Sequence, residues 1–234
     1  QVQLTDEGDY SVEVGNPVST VLSATASLIV NVPVTITQQP QNQTKTAGGS
    51  ATFSVVADGT APVSYQWRLN GAILPGATEA TLVLDNVQPA RAGNYTVDVS
   101  NVAGTTTSSS ALLVVNVPVT FTEQPQSQTV TSGSPVTFRV AAEGTVPLNY
   151  QWHLNGVPIA GATNPTLVLA SALPADAGNY SVAVSNVAGT VSSGEASLTV
   201  NVPVSITGEP QDQVATAGET ASFSVIAVGT EPLS

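Results

Sequence analysis

Short runs of alternating apolar and polar residues cover the chain, and turn-forming residues separate them about every 8–12 positions. Alternation with a period of two residues is typical of a half-buried β-strand, and no run has the period of an amphipathic helix. The pattern therefore predicts an all-β, antiparallel sandwich. Between residues 31 and 115 the predicted strands lie at 34–38, 42–47, 51–57, 63–69, 72–74, 80–84, 94–101 and 105–115.

The chain repeats itself with a period of 85 residues. The string NVPVT begins at residues 31 and 116, and NVPVS begins at residue 201. Residues 31–115 and 116–200 align without a gap and are identical at 51 of 85 positions. Self-similarity at a fixed spacing indicates that each repeat is one structural unit.

The two ends of the chain match parts of the same unit. Residues 1–30 match its last 30 positions, and residues 201–234 match its first 34. We therefore predict the C-terminal part of a domain at 1–30, whole domains at 31–115 and 116–200, and the N-terminal part of a domain at 201–234. We interpret the chain as a window on a longer array. The alternative is that the tail of one molecule completes the head of the next.

Two kinds of local signal mark strand ends inside each repeat. Asn70-Gly71 and Asn155-Gly156 lie between apolar runs, and both residue types tolerate positive φ, so we predict hairpins there. Pro40 and Pro125 interrupt the first predicted strand, which is typical of an edge strand that changes sheets.

Several motifs occupy equivalent positions in both repeats. Each repeat has a YQW strand, an AGNY turn and a VxVSN strand directly after that turn. This set resembles the I-set immunoglobulin domain, and in particular the cysteine-free immunoglobulin-like repeats of large bacterial surface and secreted proteins. The resemblance implies tandem immunoglobulin-like β-sandwiches in a linear array.

The resemblance also implies a structural core. We expect it to contain the family's central strand-C Trp, the Tyr of the tyrosine corner, and a Val pair where the family has its inter-sheet disulfide. A Val pair would let the domain fold without an oxidant. In chain order these residues are Tyr10, Val55, Trp67, Tyr95, Val97, Val140, Trp152, Tyr180 and Val182.

Strand alternation assigns every aromatic side chain to a core. Trp67 points inward, so Tyr65, two residues away on the same strand, does too. The same parity argument places Tyr10 and Phe223 inside. With no exposed aromatic platform, the sequence argues against binding of carbohydrate or single-stranded nucleic acid.

Charge and composition exclude several further classes. The 234 residues include 4 Lys+Arg against 16 Asp+Glu, a net charge of −12, so no basic surface exists for nucleic acid or anionic lipid. The absence of Cys and the single His exclude thiol chemistry, cysteine zinc sites and most histidine metal sites. No apolar run approaches the roughly 18 residues that span a membrane. We expect no enzyme activity, no cofactor, no nucleic-acid partner and no membrane insertion in this segment.

A few residues still invite chemical interpretation. His153 is expected to be an outward polar residue rather than a metal ligand or a base. Asp6-Glu7-Gly8-Asp9 lies in the turn before a tyrosine corner, where the repeats have Arg91 and Asp176; the acidic residue there is expected to cap the turn, with calcium binding by this stretch as the alternative. The Ser/Thr run at 105–110 is either an exposed strand face or a site of O-glycosylation. Asn42, Asn94 and Asn179 begin N-x-S/T sequences, which are glycan acceptors only in a host that modifies Asn.

The junction between repeats points to function. The last strand of one repeat runs through Asn116 into the next repeat, and Pro118 restricts φ, so neighbouring domains should abut with limited swing. Each sandwich should add about 40 Å, from strands of about 12 residues. We hypothesise a non-catalytic, extracellular structural or adhesive array that forms a semi-rigid rod, stalk or filament component at the cell surface.

The expected partners are neighbouring repeats and other copies of the same protein. Two alternatives remain open. The repeats could be spacers in a secreted polysaccharide-degrading enzyme, or a ligand-binding module that uses the loops at one end.

Overall fold

The computed structural model describes all 234 residues, which divide into two compact units, Gln1–Asn116 and Val117–Ser234. Both units are built from strands. The helical elements are three-residue 3₁₀ turns at Leu4–Asp6, Pro89–Arg91 and Pro174–Asp176. None of these turns has the length or apolar character of a helix that could cross a membrane.

The first 30 residues form two antiparallel strand pairs, one joining the first and fourth strands and one joining the second and third. The four strands are β1 (Gly8–Tyr10), β2 (Glu13–Gly15), β3 (Thr20–Leu22) and β4 (Ala26–Leu28).

The first whole repeat contains ten strands. They are β5 (Thr35–Gln38), β6 (Gln43–Thr46), β7 (Ala51–Ser54), β8 (Val56–Asp58), β9 (Ser64–Leu69), β10 (Ala72–Ile73), β11 (Thr81–Leu84), β12 (Gly93–Asn101), β13 (Gly104–Thr107) and β14 (Ala111–Asn116). A large sheet has the order β10-β9-β12-β14-β6, and β13 also pairs with β12. Pairs β11–β7 and β5–β8 form the opposite layer. Only the β14–β6 pairing is parallel, so the predicted antiparallel sandwich is confirmed.

The second whole repeat has the same arrangement. Its large sheet has the order β16-β24-β22-β19-β20 with β23 beside β22, and pairs β17–β21 and β15–β18 form the opposite layer. These strands are β15 (Thr120–Glu123), β16 (Gln128–Thr131), β17 (Val136–Arg139), β18 (Ala141–Glu143), β19 (Asn149–Leu154), β20 (Val157–Pro158), β21 (Thr166–Leu169), β22 (Gly178–Asn186), β23 (Gly189–Ser192) and β24 (Ala196–Asn201). The last segment contributes one antiparallel pair, β25 (Ser205–Gly208) with β26 (Ile226–Val228).

The predicted turn and sheet-switch signals have the expected geometry. Asn70 and Gly71 connect β9 to β10 with φ values of 50° and 82°, both positive as a two-residue hairpin turn requires. Asn155 and Gly156 connect β19 to β20 with φ values of 50° and 79°. Pro40 lies between β5 and β6, which pair in opposite layers.

Alternation along the strands builds one hydrophobic core in each whole repeat. In β7 buried and exposed residues alternate, and in β12 Tyr95, Val97 and Val99 are buried. Burial of such apolar side chains contributes roughly 1.5–3 kcal/mol each relative to exposure. The most deeply buried residues of the two cores include Phe53, Trp67, Tyr95, Val97, Leu113, Phe138, Trp152, Tyr180, Val182 and Leu198.

Two aromatic side chains that we expected in a core are exposed. Tyr10 keeps 53% of its surface accessible and Phe223 keeps 67%. Residues 1–30 and 201–234 contribute only strand pairs, and no second layer packs on them. The expectation for Tyr10 and Phe223 was wrong because alternation decides which way a side chain points, whereas burial also requires an opposing layer.

Candidate functional site

Three aromatic rings form the centre of each whole repeat. The Phe53 ring stacks on the Tyr95 ring with centroids 4.7 Å apart and lies 6.1 Å from the Trp67 ring. In the second repeat the Phe138 ring lies 4.6 Å from Tyr180 and 6.2 Å from Trp152. Such pairs are worth about 0.5–1.5 kcal/mol beyond the area they bury.

Each buried Trp also has its one polar atom satisfied. The Trp67 Nε1–H donates to the Glu79 carbonyl at 2.9 Å, and the Trp152 Nε1–H donates to the Asn164 carbonyl at 2.9 Å. The Val pairs lie in the same clusters, with Val55 and Val97 in the first core and Val140 and Val182 in the second.

The tyrosines close a turn through their hydroxyl groups. The Tyr95 O–H donates to the Arg91 carbonyl at 2.7 Å, and the Tyr180 O–H donates to the Asp176 carbonyl at 2.7 Å. Burial raises the pKa of both phenols, and Arg91 partly opposes that effect at Tyr95. Tyr10 makes the equivalent bond to the Asp6 carbonyl at 2.6 Å although its ring is exposed.

The acidic residues before two of these tyrosines cap the turn, as predicted. Asp6 accepts the Gln3 N–H at 2.8 Å, and Asp176 accepts the Leu173 N–H at 2.8 Å. No group of three or more His, Cys, Asp or Glu side chains is placed to hold a metal ion. His153 lies half-buried on the outer face of β19.

Most hydroxyl groups of the Ser/Thr run at 105–110 form hydrogen bonds that stabilise the first repeat. Ser108 is buried and accepts the Val97 N–H at 3.0 Å, which bridges the gap between β13 and β14. Four of the six hydroxyl groups in the run make hydrogen bonds within the chain. They belong to Thr106, Thr107, Ser108 and Ser109.

An ion pair distinguishes the outer face of the first large sheet. The Arg68 Nε–H donates to Asp98 at 2.7 Å, and Thr107 Oγ1 donates to the other Asp98 oxygen at 2.7 Å. Burial alone would raise the pKa of Asp98, but the hydrogen bonds from Thr107 and Arg68 and the Arg68 charge outweigh it and lower that pKa. The second repeat has His153 and Ala183 at these two positions.

Three valines at the starts of repeats, 85 residues apart, have their backbone held by a loop Thr, and the first two are also held by an Asn. The Val32 N–H donates to Thr60 Oγ1 at 2.8 Å, and the Thr60 N–H returns a bond to the Val32 carbonyl at 3.1 Å. The Asn101 carboxamide donates to the carbonyls of Val32 (2.8 Å) and Thr60 (2.9 Å). We call Thr60, Asn101 and their equivalents in later repeats the junction anchors.

The junction anchors recur in the second unit. The Val117 N–H donates to Thr145 Oγ1 at 2.7 Å, and Asn186 donates to the Val117 carbonyl at 2.8 Å. The Val202 N–H donates to Thr230 Oγ1 at 2.6 Å, and the Thr230 N–H returns a bond to the Val202 carbonyl at 2.9 Å.

The residue before each of the later two anchored valines belongs to the preceding strand. Asn116 ends β14, and its carbonyl accepts the Ala47 N–H at 2.8 Å. Asn201 ends β24, and its carbonyl accepts the Ser132 N–H at 2.7 Å. Asn116 and Val117 are therefore bonded to different units, with no free residue between them.

Sequence reasoning missed the junction anchors. It left Thr60 in the loop between the predicted strands 51–57 and 63–69, placed Asn101 at the end of the predicted strand 94–101, and assigned neither residue a role. The usable signal was that Thr60, Thr145 and Thr230 recur at 85-residue spacing in loops that share the pattern G-T-x-P, and that Asn101 and Asn186 recur in the identical stretch SNVAGT.

Comparison with known proteins identifies the repeated unit. The sequence model described as "Immunoglobulin domain" matches residues 33–101 and 118–186, which is more than half of the chain. The predicted fold class, tandem immunoglobulin-like β-sandwiches, is thereby confirmed.

The chain is similar to two long animal proteins. It is 30% identical over 252 aligned residues to the human cell adhesion molecule DSCAM, covering 97% of this chain and 12% of DSCAM. It is 28% identical to the muscle M-line assembly protein unc-89 of Caenorhabditis elegans, covering 95% of this chain and 3% of that protein. The chain thus spans only a small part of these relatives. Both are animal proteins, so the bacterial part of the sequence resemblance finds no support here.

A solved structure supports the same assignment. An I-band fragment of titin, domains I67–I69, superposes with a TM-score of 0.68 at 25% identity, covering 86% of this chain and 77% of the fragment. Likeness to such different proteins fixes the fold of the unit, whereas function depends on the particular surfaces it carries.

Proposed function

Because this chain belongs to the immunoglobulin-domain family, we propose that its repeats form a non-catalytic, extracellular array that serves as a semi-rigid rod or stalk. Its role at the cell surface is structural or adhesive. Its partners are the neighbouring repeats and other copies of the same protein.

The doubly held junction is the observation that supports this proposal most strongly. Asn116 is bonded within one unit and Val117 within the next, so a change of direction must be absorbed by the few dihedrals between them. Pro118 restricts one more φ directly after the anchored Val. A junction without slack suits a spacer that holds its ends apart.

Two further features support the proposal. The net charge of −12 opposes non-specific aggregation of extended molecules, so that copies associate only through specific contacts. The absence of Cys lets each core form without oxidation. The long relative DSCAM, which carries a similar stretch of sequence, is named as a cell adhesion molecule.

Electron microscopy of the natural full-length protein, together with its mass, tests the proposal. We expect an extended beaded particle whose length grows with the number of repeats. A compact head with a short beaded tail would overturn the proposal. It would favour the alternative in which these repeats are spacers of a secreted polysaccharide-degrading enzyme.

A further inference from the structure

The outer face of the large sheet differs between the repeats along one row of three strands. In the first repeat this row is Asn94 on β12, Leu112 on β14, and Asn42 just before β6. Asn94 and Leu112 are paired directly, and the Leu112 N–H donates to Asn42 Oδ1 at 2.7 Å. The second repeat has Asn179, Ser197 and Ser127 in the same row.

The row of the first repeat differs from that of the second because its middle residue, Leu112, is apolar. Leu112 is 42% exposed and Val114, further along the same strand, is 38% exposed. Both point away from the core, since Ala111 and Leu113 point into it. The second repeat has the polar residues Ser197 and Thr199 at these positions, so the sandwich itself does not require apolar residues there.

Asn42 and Asn94, which flank Leu112 in this row, both begin N-x-S/T acceptor sequences. Asn42 is followed by Gln43-Thr44, and Asn94 is followed by Tyr95-Thr96. Both Asn side chains are exposed. The second repeat lacks the first of these acceptors, since Ser127 stands at the position equivalent to Asn42.

The hydrogen bonds leave the reactive nitrogen free at both positions. Asn42 uses only its Oδ1, and the Asn94 side chain makes no hydrogen bond within the chain. By contrast, the Asn179 carboxamide donates to Glu195 at 2.9 Å. Ser127 accepts the Ser197 N–H at 2.9 Å, so a Ser performs the backbone role of Asn42 without offering an acceptor.

We propose that Asn42 and Asn94 carry N-linked oligosaccharides that cover Leu112 and Val114 on the outer face of the first repeat. The donor is an oligosaccharide on a lipid pyrophosphate. Each Asn Nδ2 forms a bond to C1 of the sugar, the C1–oxygen bond to the pyrophosphate breaks, and the lipid pyrophosphate and one amide proton leave. This modification rests on the proposed extracellular placement, because the transfer occurs during export.

The first test is the mass of the full chain secreted from animal cells behind a cleavable signal sequence. We expect two glycans on the first repeat, with deglycosylation converting Asn42 and Asn94 to Asp. Asn42→Ser should remove one glycan while keeping the bond to the Leu112 N–H. Thr96→Val should remove the other, and the matched control Thr96→Ser should retain it. A secreted, folded chain that lacks a glycan at either site would overturn the proposal.

The second test concerns the exposed apolar side chains of Leu112 and Val114. We expect enzymatic deglycosylation to increase self-association in sedimentation measurements, and the variant Leu112→Ser/Val114→Thr, which copies the second repeat, to abolish that increase. Unchanged sedimentation after deglycosylation would refute the covering role. Neither the glycan mass nor the sedimentation behaviour depends on the stiffness of the array, so failure of this proposal can be distinguished from failure of the proposed function. Surface labelling of the natural protein tests its extracellular placement separately.

Discussion

The two whole repeats share one fold and differ mainly at single residues. The Arg68–Asp98 pair of the first repeat is replaced by His153 and Ala183, yet the surrounding strands keep their pairing. An ion pair that is partly exposed contributes modestly to stability. Here Thr107 adds a third partner, and the net result is a lowered pKa for Asp98.

Asp98 should make the stability of the first repeat depend on pH. A carboxyl whose folded pKa lies below its unfolded value stabilises the fold above the unfolded pKa, near 3.8, and loses that contribution as the pH falls through the folded pKa. We expect Asp98→Ala to destabilise the first repeat at neutral pH and to have a smaller effect at about pH 2. Hydrogen exchange, resolved by peptide, reports each repeat separately. An equal loss at both pH values would exclude this linkage.

At the scale of elements, the hairpin between β19 and β20 depends on two glycines in different ways. Gly156 has a φ of 79°, and a Cβ there would meet open space. Gly178 begins β22 with a φ of 153°, and a Cβ there would lie 2.7 Å from the Asn155 carboxamide and 2.8 Å from Leu154 Cδ1. Asn155 Oδ1 accepts the Asn179 N–H at 2.9 Å, so Gly178 permits the contact that ties the hairpin to β22.

We therefore expect Gly178→Ala to cost more stability than Gly156→Ala. The change at Gly156 should cost about 1 kcal/mol, which is the penalty for an L-residue at positive φ. The change at Gly178 adds displacement of Asn155 and loss of its hydrogen bond. Thermal unfolding of the two variants against the parent chain gives the order directly. A larger loss for Gly156→Ala would contradict this interpretation of the hairpin.

The same elements show how far sequence reasoning reaches. The period-two pattern predicts the strands, and Asn70-Gly71 and Pro40 predict a hairpin and a sheet switch, because these features depend on local backbone preferences. Exposure of Tyr10 and Phe223 was not predicted, because burial depends on a layer supplied by distant strands. The junction anchors were not predicted for a similar reason, because Asn101 and its hydrogen-bond partner Val32 are 69 residues apart in the sequence.

For the whole molecule, the stiffness that we propose would depend on the junctions rather than on the sandwiches. Each core lies within one repeat, so repeats should unfold nearly independently while the junctions decide how far the array bends. Thr145 and Asn186 hold Val117 from one side, and β14 holds Asn116 from the other. We therefore expect loss of these anchors to increase bending at the junction.

Pulsed electron paramagnetic resonance between two spin labels tests this inference most directly. The chain has no Cys, so Thr52→Cys and Thr137→Cys provide single labels at equivalent exposed positions on β7 and β17. A Gly-Ser insertion between Asn116 and Val117 supplies a flexible reference that leaves both units intact. Thr145→Val/Asn186→Ala removes the anchors, and Thr163→Val/Asn164→Ala is its matched control on the surface of the same repeat.

We expect one narrow distance distribution for the parent chain and for the Thr163/Asn164 control. The anchor variant, once circular dichroism shows that it is folded, should approach the broad distribution of the insertion. A parent distribution as broad as that of the insertion would contradict the proposed semi-rigid array.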